Sequence, residues 1–187
     1  MIDFKKCTEK AYEILLTQNY ECGVPIKINS LDLQYPVIFE SIQNYSKLTG
    51  YTVNDLTANK KAENGCVYQS HGYYIILHNE LHCKERRNFT DGHEIGHIAC
   101  GHKLDNKESE IEANFFSAQT IMPNALIKYL SESGFIINAK TLQEIFKVSP
   151  DAANRKMRTL KKYFQTHKWD NDIIAKYQDS LDRFIYT

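Results

Sequence analysis

Two histidines separated by three residues constrain the middle of this chain more than any other feature of the sequence. His93 and His97 lie on one face, about one turn apart, only if the backbone between them is helical. Thr90 or Asp91 could cap such a helix at its start, and Gly101 is a typical residue just beyond a helix end. We therefore predict a helix from Thr90 or Asp91 to Gly101.

The segments around this helix predict an α+β fold. The stretch 65–77 is rich in aromatic and β-branched residues and predicts two strands around a turn at 71–72. Helical periodicity predicts a first helix over 3–19 and a second over 36–50, and from residue 90 onward only helices are indicated. We expect helices around a small antiparallel or mixed sheet, followed by a helical last third.

The chain length predicts one domain, or one domain with a small appendage. It has 187 residues, which suffices to bury a sizeable core. A helix is predicted over 108–122, and Pro123 ends it. We expect residues 1–123 to form the core with a helical N-terminal lead, and residues 124–187 to form a helical region packed on that core.

Charge and cysteine usage favour a cytoplasmic protein whose main partner is not a nucleic acid. The 23 basic residues balance 23 acidic ones, whereas nucleic-acid binding proteins usually carry a large positive excess. The first residues lack the apolar stretch of a secretory signal, and the longest apolar runs are too short to cross a membrane. The five cysteines show no paired spacing, so we expect them to be reduced.

The motif His93-Glu94-Ile95-Gly96-His97 predicts a catalytic zinc site. The two imidazoles could bind one Zn²⁺ at roughly 2.0–2.1 Å each, while the neighbouring carboxylate of Glu94 would act as general base. Bound zinc lowers the pKa of its water toward ~7, so hydroxide is available at neutral pH. Mn²⁺ and Fe²⁺ are alternatives. The alternative to any metal site is a surface helix with two unrelated histidines.

Substrate binding and transition-state stabilisation would need further residues. The strand over residues 73–78 could offer an edge that holds an extended peptide, and Gly96 could allow another element to approach the motif helix closely. Candidates to stabilise the oxyanion are His71, Tyr73 and Tyr74, which the sequence does not rank.

The third metal ligand is expected to be a carboxylate that follows the motif helix. The extended zinc motif would place glycine and histidine at the positions of Cys100 and Lys103. His102 is out of that register, and we expect it to be exposed near the helix end. On the next helix, Glu110 lies on a face of small residues, whereas Glu112 points about 200° away. We therefore favour Glu110 and leave Glu112 as an alternative.

Neighbours of the favoured ligand have more ordinary interpretations. Asn114, one turn beyond Glu110, could orient a ligand through a hydrogen bond. Glu108 and Glu112 are expected to form a solvated acidic first turn, which suits the positive end of the helix dipole.

Taken together, these residues resemble the ImmA/IrrE family of zinc metallopeptidases. The resemblance is good over residues 73–123 and looser over 124–162. Ser117 and Ile121 depart from the family's usual alanine and leucine, both at packing positions. The resemblance is carried by His93-Glu-Ile-Gly-His97 and by Glu110-Ile-Glu-Ala113-Asn114-Phe-Phe116-Ser-Ala-Gln-Thr-Ile121-Met122-Pro123.

The resemblance implies a zincin-like fold, with His93, His97 and Glu110 holding Zn²⁺ and Glu94 as the catalytic residue. It also implies an endopeptidase that cuts a helix-turn-helix transcriptional repressor and so switches on its genes, often on bacterial mobile elements, in phage or in a stress response. The protein substrate would then be the main partner.

The C-terminal helices suggest a second function. Residues 141–158 have the pattern of helix, tight turn, helix, and residues 155–168 contain six basic residues and no acidic one. A non-proteolytic regulator could bind DNA or a repressor through residues 141–168. We favour a packing or substrate-docking role for this region, because the chain carries no net charge.

Overall fold

The computed structural model describes residues 2–19, 23–57, 63–103, 106–163 and 166–186, without the side chains of residues 161–163. No helix in these ranges combines the length and apolar content that crossing a bilayer requires. In chain order, the elements are α1 (Phe4–Leu16), a 3₁₀ turn (Ile28–Ser30), β1 (Val37–Ser41), α2 (Ile42–Thr49), α3 (Val53–Leu56), β2 (Gly65–Ser70), β3 (Tyr73–His78), α4 (Lys84–Cys100), α5 (Lys107–Ile121), α6 (Asn124–Glu132), α7 (Ala139–Phe146), α8 (Pro150–Tyr163) and α9 (Asp170–Ile185).

The architecture confirms the α+β prediction, with one small mixed sheet among the described helices. The strand order is β1-β3-β2, with β1 parallel and β2 antiparallel to β3. The predicted turn is present, since His71 and Gly72 join the two antiparallel strands with φ of 48° and 82°. Positive φ at both positions matches the twist of a two-residue hairpin.

The prediction of a helix over 36–50 is wrong in its first half. Residues Val37–Ser41 form strand β1, and only Ile42–Thr49 is helical. The β-branched and aromatic residues Val37, Ile38 and Phe39 pair in parallel with β3, so tertiary pairing overrides the helical spacing. The helix then starts at a cap, because the Ser41 hydroxyl accepts a hydrogen bond from the Asn44 N–H.

The prediction that β3 offers a free edge is also wrong. β3 is hydrogen-bonded to β1 on one side and to β2 on the other, so it has no unpaired backbone groups to add a peptide. The edge strand nearest the motif helix is β2. Its first residue, Gly65, lies so close to Thr90 of α4 that an added Cβ would overlap the Thr90 methyl group.

Helix α4 begins six or seven residues before the two predicted caps. It spans Lys84–Cys100, so Thr90 and Asp91 lie in its interior, where both are buried. Asp91 is not a cap, because its carboxylate is hydrogen-bonded at 2.9 Å to the imidazole of His78 at the end of β3. The helix ends as predicted, with Gly101 in the left-handed region at φ 70°.

Helices α4 and α5 make the closest helix contact near the motif. A Cβ on Gly96 would lie 3.0 Å from the Cα and the carbonyl oxygen of Ala113. The hydroxyl of Ser117, also on α5, donates a hydrogen bond to the carbonyl oxygen of Phe89. The close approach expected at Gly96 is present, and it brings the first turn of α5 against the motif face of α4.

The C-terminal helices share the main core with the rest of the chain. Phe146 and Val148 are buried in the turn region between α7 and α8. Lys156 of α8 is also buried, and its ammonium donates hydrogen bonds to the side-chain oxygen of Gln119 at 2.9 Å and to the carbonyl oxygen of Ala118 at 3.4 Å. Burial lowers the pKa of Lys156 to about 7. One member of the basic stretch 155–168 therefore faces the core.

We predict that Gly96→Ala lowers Tm, although alanine is the better helix former by about 1 kcal/mol. The new methyl group would meet backbone of α5 at 3.0 Å, and overpacking of this kind costs about 1–3 kcal/mol. Thermal unfolding should compare this variant with Gly23→Ala, where the nearest atom lies at an ordinary 3.5 Å. Equal Tm values for the two variants would contradict the close packing.

A second prediction concerns the buried Lys156. Its pKa is about 7 in the folded chain and ~10.4 in an unfolded one. Between these values the unfolded state binds the additional proton, so the wild type gains up to about 1.4 kcal/mol of stability per pH unit as pH rises. Lys156→Met cannot gain stability in this way. The amount by which its free energy of unfolding exceeds that of the wild type should therefore shrink as pH rises from about 7 toward ~10.4. Urea unfolding of both proteins from pH 6.5 to 9.5 tests this. Parallel plots of the free energy of unfolding against pH would contradict the prediction.

Candidate metal centre

Three side chains from two helices converge on one point. The Nε2 atoms of His93 and His97 are 3.0 Å apart, and the Glu110 carboxylate lies 3.3 Å from His97 Nε2 and 3.6 Å from His93 Nε2. Two ligand atoms at the usual distance from one tetrahedral zinc are roughly 3.3–3.4 Å apart. The spacing of this donor set therefore fits a single ion, and no other group of three or more such donors is found in the described ranges.

Local structure explains how each donor reaches this point. The two histidines lie one turn apart on α4, as the spacing predicted. Glu110 lies in the first turn of α5, which begins with a capping box between Asn106 and Ser109. The structure brings Glu110, and not Glu112, to the two imidazoles. The side chains of His93, His97 and Glu110 are 15%, 16% and 38% exposed, so the donor set is partly open to solvent.

The donor set opens into a cleft of about 660 Å³. Glu94, 8% exposed, lines this cleft beside His93 and Glu110. Asn64 and Gly65, at the start of β2, form part of one wall, and the beginning of α8 contributes another. A carboxylate buried in such a wall next to the donor set is well placed to exchange a proton with a bound reactant.

Asn114 has a different contact from the one expected. Its amide nitrogen donates to the main-chain oxygen of Glu110 at 2.6 Å, within the same helix. The side chain also lines the cleft. The contact that we find for Asn114 is thus with the backbone of Glu110 rather than with its carboxylate.

The expectation that His102 is exposed is wrong. Its side chain is 10% exposed, and its Nδ1 lies 3.1 Å from Nδ1 of His97. Gly101 turns the chain back after α4, and the His102 N–H donates to the carbonyl oxygen of His97. The spacing of His97 and His102 alone did not show this, because the chain turns back at Gly101, whose φ is left-handed.

The expectation that Glu112 is a solvated residue of the first turn is also wrong, whereas Glu108 is exposed as expected. The side chain of Glu112 is 12% exposed, and its two oxygens contact Nε2 of His102 at 2.8 Å and the main-chain N–H of Asp3 at 2.7 Å. Burial by itself would raise the pKa of Glu112, but the hydrogen bonds from Asp3 and His102 outweigh it. The pKa therefore lies below its ordinary value.

The expected oxyanion candidates lie outside the cleft. His71, Tyr73 and Tyr74 belong to the hairpin of β2 and β3, and none of them lines the cleft walls. The hydrogen-bond donors that do line it include Arg86 and Arg155, together with Asn64 and Asn114. Of these, Arg86 is hydrogen-bonded to Asn64. The hairpin sequence could not reveal this, because which of its residues face the site depends on how the sheet packs against α4.

One of three comparisons with known proteins assigns this sequence to a family. Comparison with the curated proteins and comparison with the solved structures each give no significant match. The sequence profile of the peptidase family M78, described as the IrrE N-terminal-like domain, matches residues 47–158. This range covers more than half of the chain and includes all three converging donors and Glu94. The chain belongs to the IrrE N-terminal-like peptidase family.

Proposed function

We propose that the protein is a zinc-dependent endopeptidase. The observation that supports this most strongly is the convergence of His93, His97 and Glu110, next to a cleft that Glu94 lines together with His93 and Glu110. Two imidazoles and one carboxylate with an open side are the ligand set of catalytic zinc sites. In this proposal the three residues are the metal ligands and Glu94 is the catalytic residue. Mn²⁺ or Fe²⁺ could bind the same donors.

In the proposed reaction the metal and Glu94 have different roles. Bound zinc supplies a Lewis acid and lowers the pKa of water toward ~7. Glu94 takes a proton from the attacking water and later delivers it to the leaving amine. Because Glu94 is 8% exposed, its side chain is largely enclosed by protein, which restricts the orientations that its carboxylate can take toward a reactant.

The walls of the cleft suggest how a peptide would lie. β2 is the sheet edge nearest the donor set, so an extended segment could pair with it before crossing the metal centre. Another wall comes from α8, where Arg155 lines the cleft together with Pro150 and Ala152. Asn114, Arg86 and Arg155 are the cleft donors that could stabilise an oxyanion.

The substrate that we propose is a helix-turn-helix transcriptional repressor. This rests on the resemblance to ImmA/IrrE proteins, whose cleavage of such repressors switches on the repressed genes. The same resemblance supports a bacterial origin, and the unpaired spacing of the cysteines supports a cytoplasmic location. We also propose that residues 1–123 form the peptidase core, with residues 124–187 packed on it.

The alternative function, a regulator that binds DNA through residues 141–168, has weaker support. In helix-turn-helix proteins the first residues of the second helix contact base edges. Here Pro150, Asp151 and Ala152, at the start of α8, line the cleft beside the donor set. Lys156 is buried, and residues 164–165 lie outside the described ranges. The placements of residues 150–152 and of Lys156 favour α8 as a wall for a protein substrate.

The first test of the proposal is metal content. We expect about one zinc per wild-type chain and its loss in Glu110→Ala, because two imidazoles alone hold the ion weakly. Glu108→Ala is the matched control, since Glu108 is an exposed acid in the same helix turn. Elemental analysis after dialysis measures the ratio. A wild type that stays free of metal after zinc is supplied would overturn the proposed function.

The second test separates catalysis from binding. Glu94→Gln should keep the zinc content and Tm of the wild type. Its rate of peptide hydrolysis should fall roughly 10²–10⁴-fold, which is the rate enhancement that a general base usually contributes. Digestion of a peptide library, analysed by mass spectrometry, measures the loss. If Glu94→Gln is silent in cells while Arg155→Ala combined with Arg158→Ala abolishes function, the regulator hypothesis is correct instead.

A further inference from the structure

We propose that His102 and Glu112 are positioning residues for the metal ligand His97. Together they hold its ring with Nε2 toward the converging donors and increase its affinity for the ion. This inference rests on the proposed function, in which His97 binds a metal. It extends the site to two residues, His102 and Glu112, that are not part of the metal-binding motif.

The first support is a continuous chain of hydrogen bonds. Nδ1 of His97 lies 3.1 Å from Nδ1 of His102, and Nε2 of His102 lies 2.8 Å from the carboxylate of Glu112. All three side chains are largely shielded, with exposures of 16%, 10% and 12%. Water therefore competes little for these contacts, and each ring has its orientation set by the next partner.

The second support is that the hydrogens of this chain can be arranged consistently when a metal binds. A neutral imidazole that coordinates through Nε2 carries its hydrogen on Nδ1. His97 then donates to Nδ1 of His102, which must be the unprotonated nitrogen of that ring. His102 carries its hydrogen on Nε2 and donates it to Glu112. The chain ends on a carboxylate, which only accepts, so every contact is satisfied.

The third support is the way three elements are tied to the carboxylate. Glu112 projects from α5, while His102 follows the end of α4. The second oxygen of Glu112 accepts the N–H of Asp3, the capping residue of α1, at 2.7 Å. The carboxylate is thus fixed from two sides and cannot follow a displaced ring. A fixed acceptor is what orients a ligand histidine in metal sites.

The chemical consequence is greater affinity for the ion. A histidine whose second nitrogen donates toward a carboxylate is a more basic ligand, and loss of such a partner usually costs roughly 10- to 100-fold in metal affinity. In this chain the carboxylate acts through an intervening imidazole. Removing either residue should therefore have the same effect as removing both.

The experiment measures zinc affinity by competition with a chelator, alongside Tm of each metal-free protein. We expect His102→Phe and Glu112→Gln to weaken the zinc Kd roughly 10- to 100-fold, and the double variant to weaken it no further. His102→Gln should retain much of the affinity, because its amide can accept from His97 and donate to Glu112. Controls are Glu108→Gln, an exposed acid on the same helix, and His71→Gln, an exposed histidine of the hairpin.

The possible results distinguish this inference from the proposed function. If the wild type binds no zinc, the proposed function fails. If the wild type binds zinc tightly and the variants bind it equally well, the inference fails while the proposed function stands. A lower Tm with unchanged zinc affinity would show that these residues only hold α1, α4 and α5 together, which also overturns the inference. Should His102→Phe fail to fold, the nearly isosteric Glu112→Gln carries the test.

Discussion

The close contact between α4 and α5 is the constraint on which the candidate site depends. At Gly96 the backbones of the two helices approach so closely that even a methyl group would lie 3.0 Å from the backbone of Ala113. This approach places the first turn of α5 opposite the face that carries the two histidines. Because packed interiors transmit small displacements, the distances from Glu110 to both imidazoles depend on this contact.

The same region also joins the N-terminal helix to the site. Lys6 of α1 donates to the carbonyl oxygen of Cys100 at the end of α4, where unpaired carbonyls attract cations. Asp3, which caps α1, donates its N–H to Glu112. The ends of three helices thus meet next to the donor set, and those of α1 and α4 contribute backbone groups that regular helical hydrogen bonding leaves free.

Several sequence predictions failed for a shared physical reason. Residues 37–41 have helical spacing but form a strand, because β3 offers a pairing partner that local propensity does not include. Thr90 and Asp91 have the side chains of capping residues but are buried in the middle of α4, against β2 and β3. Both errors come from contacts with residues distant in the chain, and such contacts override weak local preferences.

The local parts of the site were predictable from sequence, and the parts between elements were not. The spacing of His93 and His97 determines that they share a helix face, and the periodicity of α5 separates Glu110 from Glu112. Only the tertiary structure decided that β2, rather than β3, is the edge strand of the described sheet beside the cleft. It also decided that the ring of His102 lies between His97 and Glu112 and contacts both. A side chain's direction on its own helix follows from a fixed rotation per residue, whereas its partner on another element follows from how the whole chain packs.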